Sequence, residues 1–209
     1  SRMGESKAEL DWHGQSFADR IARILLRATG GPLVVVAAPG QRLPSLPPEA
    51  TVAVDTNEGR GPLEGIAAGL RALPDGTVAF VSSTDAPLLH PALVEHVIAA
   101  VDERHELALC ETDGRLHPLA AAYRASLDER IQELLDADQR RPIALLEHAR
   151  ARILDRESLL EAADVARLDP ELGSLVNLNS PDDYARARTQ TLPEIEVERF
   201  GLLRDGGRA

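Results

Sequence analysis

Thr77-Val78-Ala79-Phe80-Val81-Ser82-Ser83-Thr84-Asp85-Ala86-Pro87 passes from an apolar run straight to a carboxylate and a chain-stiffening proline. Thr77 to Ser82 reads as a buried strand, bounded upstream by the turn residues Pro74-Asp75-Gly76. Downstream, Pro91 suits the first turn of a helix whose stripe is Leu93, Val97 and Val101. Upstream, Leu63, Ile66 and Leu70 mark another helix. The same alternation extends both ways. Phe17, Ile21, Ile24 and Leu25 share a helical face, Gly30-Gly31 ends that helix, and Leu33 to Ala38 follows as a buried strand. A proline-rich loop from Pro39 to Pro48 leads to a short strand from Thr51 to Asp55.

Toward the carboxyl terminus, Glu106 to Cys110 reads as a strand, Asp113-Gly114 as a turn, and Pro118 to Tyr123 as the strand after it. Leu127, Ile131, Leu134 and Leu135 mark a helix, and Pro142 to about Arg152 is expected to be helical too. Leu175 to Leu178 reads as a last short strand. Ser180 caps a helix with Pro181 at its first position and Asp182-Asp183 in its first turn. Strands alternating with helices predict an α/β fold, with a mostly parallel sheet covered by helices on both faces. One domain over residues 1–188 is expected, with a polar, helix-poor tail over 189–209. Ligands of such sheets bind beyond the carboxyl ends of the strands.

Composition narrows the function. Hydrophobic residues make up 44% of 209 residues, enough for a full core, while aromatics are only 3%. The net charge of -11 disfavours a nucleic-acid partner, and a bound triphosphate would need locally arranged cations or a metal. One cysteine, Cys110, cannot form an internal disulfide, which fits a reducing compartment, and a cytoplasmic location is expected. No run of apolar residues is long enough for a membrane span. Of the 23 basic residues, Lys7 is the single lysine. An ammonium is a compact point charge that fits between phosphate oxygens where a wide guanidinium does not. Chance survival of one surface lysine is the plainer alternative.

Four segments could carry chemistry. Ser1-Arg2-Met3-Gly4-Glu5-Ser6-Lys7-Ala8 combines a glycine and a cation ahead of a helix, suiting either a phosphate loop or a solvated arm. Gly59-Arg60-Gly61-Pro62-Leu63-Glu64-Gly65 follows the strand ending at Asp55 and offers free helix N–H groups, or simply starts a helix. Asp85, just past a buried strand, suits a Mg²⁺ ligand, since magnesium takes one or two carboxylates with phosphate oxygens and water; capping the next helix is the alternative. In Asn177-Leu178-Asn179-Ser180-Pro181 the alternation puts both amides on one side of an extended segment, where they could bind a ligand. The histidines show no metal-ligand spacing, and Cys110 lies inside a strand, as a core residue would.

The order of these segments resembles the MobA-like nucleotidyltransferases, the molybdenum-cofactor guanylyltransferases. Ser1-Arg2-Met3-Gly4 with Lys7-Ala8 matches the second half of that family's opening signature, Gly61-Pro62-Leu63-Glu64-Gly65 its Gly-Pro-Leu-x-Gly, and Asp85-Ala86-Pro87 its Asp-x-Pro. Asp113-Gly114, His117-Pro118-Leu119, Tyr123-Arg124, Arg140-Arg141 and Asn177-Leu178-Asn179-Ser180-Pro181 match later positions. The first half of the signature, Leu-Ala-Gly-Gly, is expected upstream of Ser1. Ala38-Pro39 stands where some members carry Asn.

The resemblance implies a Rossmann-like, nucleotide-diphospho-sugar-transferase-like fold and transfer of GMP from GTP to the phosphate of molybdopterin, with Mg²⁺ and release of pyrophosphate. It assigns Lys7 to the triphosphate and Asp85 to Mg²⁺. Arg2, Gly4, Asp55 and Gly61 fall around the nucleotide, and His117, Asn177 and Asn179 toward the acceptor. GTP and molybdopterin are then the partners, with room for transient contact with other cofactor-biosynthesis or molybdoenzyme proteins. The acceptor phosphate is itself the nucleophile, so no protein base is required, and positioning with charge neutralisation carries the reaction. CTP in place of GTP, another phosphorylated acceptor, and a nucleotide-binding module without turnover are the competing readings.

Overall fold

The computed structural model describes residues 7–55 and 61–189, apart from the side chain of Lys7. The described chain starts with a 3₁₀ turn, Lys7–Glu9, and a two-residue hairpin of β1 (Asp11–Trp12) and β2 (Gln15–Ser16). His13 and Gly14 turn the hairpin with φ of 51° and 87°, the left-handed pair that tight hairpins demand. Ser16 then caps α1 (Phe17–Thr29), its hydroxyl accepting from the Asp19 amide at 3.1 Å, and Gly30 ends the helix in the left-handed conformation.

The strands fall into two blocks. β3 (Leu33–Ala37) and β4 (Ala50–Val54) form a parallel pair. The larger sheet has the order β5-β7-β6-β8, made of β5 (Val78–Ser82), β6 (Leu107–Thr112), β7 (Arg115–Arg124) and β8 (Ala151–Leu154). β7 is antiparallel to both neighbours, so β5 and β6 share one direction, and β8 lies parallel to β6. Asp113 and Gly114, at φ of 52° and 72°, make the tight β6–β7 turn that the Asp-Gly pair predicts.

Helices cover both faces. α2 (Pro62–Arg71) and α4 (Asp128–Asp136) bury Leu63, Ile66, Leu70, Ile131 and Leu135 against Leu107, Leu109, Ala121 and Tyr123. On the opposite face α1, α3 (Pro91–Ala99), α5 (Arg156–Glu161) and α6 (Ala163–Leu168) pack against Phe80, Ala108, Cys110 and Ala122. Consecutive strand residues thus serve opposite cores, as the period of two requires. A third cluster joins Trp12, Phe17, Leu178 and Ala187 where α7 (Pro181–Arg188) closes over the amino-terminal hairpin.

Two sequence expectations fail. The segment from Pro142 to Arg152 is not one helix: a 3₁₀ turn over Pro142–Glu147 gives way to β8, whose pairing with β6 outweighs local preference. Leu175 to Leu178 is not a strand either. Gly173–Leu175 forms a 3₁₀ turn behind Leu172, held at φ 52°, and the following residues belong to no sheet. Short α5 and α6 occupy a region where no clear periodicity was read.

Among the described residues no strand pairs with the second edge of β3 or of β5. Those two edges flank a cavity of about 700 Å³ lined by β3, β5 and the inner faces of α1, α2 and α3.

Candidate active site

Three strands and one loop deliver the predicted residues to the carboxyl end of the sheet. β3 and β4 end together, where the Asp55 amide donates to the Ala37 carbonyl at 2.8 Å. Gly61, at φ 81° and ψ -177°, stands at the start of α2 in a backbone region that essentially only glycine occupies. A Cβ added there would meet the Arg140 carbonyl at 3.4 Å, an ordinary contact, so it is the backbone conformation that calls for glycine. Pro62 follows at the first helical position, and Glu64 is buried to 3% exposure in the first turn, where a carboxylate favours the helix dipole. Asp55, Gly61 and Thr84 line the same end of the cavity between β3 and β5.

Asp85 lies three residues past the end of β5 and is partly buried. The helix-capping alternative does not hold: His90 caps α3, its Nδ1 accepting from the Ala92 amide at 3.1 Å. The Asp85 loop is fixed from two sides. The Leu178 amide donates to the Asp85 carbonyl at 2.8 Å, which brings Asn177 and Asn179 beside Asp85. The Leu178 side chain is buried and its two neighbours are not, so both amides turn away from the core as the alternation predicted. From α1, the buried Arg20 donates through Nε to the Pro87 carbonyl at 2.5 Å.

Behind the loop, Ser174 accepts from the His90 amide at 2.8 Å, and the Asp169 carboxylate accepts from the Gly173 and Ser174 amides at 2.7 and 3.2 Å. These are the residues the sequence reading missed. Arg20 carried a signal, since it sits three residues after Phe17 on an otherwise apolar helix face. Asp169 and Ser174 carried none, because their partners are remote in sequence or main-chain amides.

His117 opens β7 from the same end. The Ser83 amide donates to the Leu119 carbonyl at 3.2 Å, so the start of β7 lies alongside the Asp85 loop. Between Leu109 and Cys110 the β6–β7 register jumps from Ala121 to His117, a bulge that includes Pro118, which has no amide hydrogen to give the ladder. The Tyr123 hydroxyl donates to the Pro118 carbonyl at 2.8 Å and pins the bulge. His117 shares a 2.7 Å hydrogen bond with Thr112, and burial, aided by the Arg115 charge, lowers its pKa, favouring the neutral ring. Cys110 is buried, and burial pushes its thiol up to about 12, so it belongs to the core.

Asp55, Gly61, Asp85, His117, Asn177 and Asn179 therefore share one end of the molecule. Arg2 and Gly4 lie outside the described residues, as does the Lys7 side chain, although the Lys7 backbone opens the turn leading to the hairpin before α1. Among the described residues no three His, Cys, Asp or Glu side chains group to hold a metal. No described helix is long and apolar enough to cross a membrane.

The sheet is mixed, with β7 antiparallel to both its neighbours, and its polar groups gather past the strand ends, where open α/β sheets bind ligands. The family description "MobA-like NTP transferase domain" matches residues 1–153, and the chain belongs to this nucleotidyltransferase family. It is 34% identical over 187 residues to a probable molybdenum cofactor guanylyltransferase of Mycolicibacterium paratuberculosis, covering 87% of this chain and 86% of that one. It is 36% identical over 192 residues to the Mycobacterium avium protein of that name, again covering 87% and 86%. Among solved structures, molybdopterin-guanine dinucleotide biosynthesis protein A from Archaeoglobus fulgidus shares the fold, with a TM-score of 0.68 and 22% identity over 94% of this chain and 93% of that one. A manganese complex of the Mycobacterium tuberculosis protein Rv0371c matches with a TM-score of 0.54 and 13% identity, over 90% and 94%.

Proposed function

We propose that the protein transfers GMP from GTP to the phosphate of molybdopterin, free or molybdenum-bound, releasing pyrophosphate. An acceptor phosphate oxygen bonds to the α-phosphorus of GTP as the bond from that phosphorus to the bridging oxygen of pyrophosphate breaks. The observation that carries the reading is the hydrogen bond from Leu178 to the Asp85 carbonyl, which sets a strand-end carboxylate beside two outward-facing amides. Relatives at 34% and 36% identity bearing the guanylyltransferase name support GTP and molybdopterin as the pair.

The donor set suits a hard divalent cation. Asp85 would supply one carboxylate to a magnesium ion, which seldom takes an all-protein cage and would draw its other ligands from phosphate oxygens and water. When bound, Mg²⁺ neutralises charge on the triphosphate. In this reading Lys7 holds the triphosphate, Arg2, Gly4, Asp55 and Gly61 lie around the nucleotide, and His117 with the two asparagines faces the acceptor. A neutral His117 can donate to or accept from the pterin without repelling or trapping charge. The acceptor phosphate is already deprotonated near neutral pH, so no side chain needs to remove a proton. In this reading the transfer takes place in the cytoplasm.

The test is pyrophosphate release by the purified chain with molybdopterin, Mg²⁺ and either GTP or CTP. GTP should be preferred; preference for CTP rejects the guanylyl reading. Lys7→Ala and Asp85→Ala should each slow turnover by roughly 10²–10³-fold, the usual cost of removing one charge-stabilising group, while melting stays cooperative. Near-parental turnover in either variant removes that residue from the site.

A further inference from the structure

The amino-terminal hairpin has no larger sheet to join. Among the described residues β1 and β2 pair only with each other, through two residues each, and so short a ladder is marginal in water by itself. Its seat comes from packing. Trp12, 1% exposed, meets Phe17 edge-on at 5.7 Å between ring centroids and Tyr184 at 6.3 Å, and Phe17 meets Tyr184 at 6.0 Å. The chain has one tryptophan, two tyrosines and three phenylalanines, and one of each converges here, so an aromatic-poor sequence concentrates its ring packing on one joint. The Tyr184 hydroxyl also donates to the Asp11 carbonyl, so α7 grips the main chain of β1. Arg188 reinforces the grip: its guanidinium lies 5.5 Å over the Tyr184 ring and 3.6 Å from the Asp11 carboxylate.

The same joint reaches the Asp85 loop. The buried Leu178 side chain belongs to the cluster with Trp12 and Phe17, while its amide donates to the Asp85 carbonyl. Leu88, three residues after Asp85, packs against the cluster as well. Toward Lys7, the Phe17 amide donates to the Leu10 carbonyl at 3.1 Å, and Ala8 is buried. Tyr184 lies one turn into a helix whose reciprocal cap begins at Ser180, directly after Asn179. One cluster therefore joins the segment carrying the Lys7 backbone to the segments carrying Asp85, Asn177 and Asn179. We propose that Tyr184 is a positioning residue: acting through Lys7, it fixes the Lys7 turn against the Asp85 loop so that an ammonium and a carboxylate serve one triphosphate. This rests on the reading of Lys7 as a triphosphate ligand. A lysine needs such a device more than an arginine would. Its flexible four-carbon stem carries a point charge, so the backbone must limit where that charge falls. A misplacement of about 1 Å can cost on the order of 10²-fold in rate.

The experiment is a double-mutant cycle on binding of Mg²⁺–GTP, read by calorimetry, with the parent, Tyr184→Phe, Lys7→Ala and the double variant. Tyr184→Phe keeps the ring in the cluster and removes only the hydroxyl that grips Asp11, so it should still fold and melt cooperatively. It should weaken Mg²⁺–GTP about 3–10-fold, the range that one neutral hydrogen bond covers. In the Lys7→Ala background the same substitution should change binding by less than about 2-fold, because the group it positions is gone. Equal losses in the two backgrounds would mean that Tyr184 supports the fold at large, and overturn the proposal. Parental affinity in Tyr184→Phe, with weak binding in Lys7→Ala, overturns the role of Tyr184 alone. Parental affinity in Lys7→Ala overturns the triphosphate assignment of Lys7 and the role of Tyr184 with it. Trp12, the single tryptophan, reports the joint directly. Tyr184→Ala, which removes the ring, should make Trp12 emission several-fold more sensitive to acrylamide; unchanged quenching would show that Tyr184 does not clasp the hairpin, and overturn the proposal on structure alone.

Discussion

Replacing Arg20 by methionine removes the tether that holds the Asp85 loop from behind. Arg20 is 3% exposed and its Nε lies 2.5 Å from the Pro87 carbonyl. A hydrogen bond from a charged donor contributes about 1.5–3 kcal/mol, and a buried carbonyl left without its donor costs about 1–3 kcal/mol. Methionine fills similar volume and relieves the burial of a charge, which offsets part of the loss. The balance is about 2 kcal/mol of destabilisation, which at roughly 2–4 °C per kcal/mol lowers Tm by about 4–8 °C. Asp85 lies two residues from the freed carbonyl, so turnover should fall about 10–10²-fold through misplacement of that carboxylate, with little change in KM for GTP. Arg20→Lys should recover part of both losses, since an ammonium can donate to the carbonyl without matching the guanidinium geometry. Thermal melts and pyrophosphate release at saturating GTP read the two effects. A variant that melts and turns over like the parent would show that Arg20 does not hold the loop.

Gly61→Ala forces a side chain into a backbone region costing about 1–3 kcal/mol, and should lower Tm and weaken GTP binding together; an unchanged Tm would mean that α2 starts differently. Ser180→Ala breaks the reciprocal cap in which Ser180 Oγ accepts from the Asp183 amide at 3.1 Å and Asp183 accepts from the Ser180 amide at 3.1 Å; a loss of about 1 kcal/mol is expected in denaturant titration. His117 titrates below its ordinary 6.5 because of burial and Arg115, so the unfolded chain takes up that proton first. Its contribution to stability is therefore complete above the ordinary value and declines as pH falls through the window beneath it. His117→Gln should flatten this part of the Tm–pH curve relative to the parent, and identical curves would refute the assignment.

The sequence conveyed the helices and strands whose stripes face a core, because burial writes itself as periodicity. Phe17 to Leu25, Leu63 to Leu70 and Thr77 to Ser82 all stand where their apolar spacing put them. It also conveyed that Asp55 and Asp85 lie past the ends of β4 and β5 and that Gly61 starts α2, because a polar or flexible residue after an apolar run marks the end of a strand or the start of a helix. It did not convey β8, an edge strand stabilised by pairing with β6, nor α5 and α6, each six residues long and too short to establish a period. Leu175 to Leu178 looked like a strand because Leu175 and Leu178 are buried, but Leu172 and the Gly173–Leu175 turn spend that burial on packing without a ladder. Arg20 and Asp169 act on main-chain atoms of other segments, and main-chain partners leave no mark in sequence.

The division of the strands into two blocks bears on the order in which the molecule assembles. Residues 78–154 contain every ladder of the four-stranded sheet, whereas the β3–β4 ribbon makes no ladder with it among the described residues. Among the described residues the ribbon packs chiefly against α1 and α2, with Gly65 and Gly69 leaving room for the Val36 side chain. During refolding, pulse labelling should find the amides of β6 and β7 protected well before those of β3 and β4, because the ribbon has no place to dock until both helices are seated.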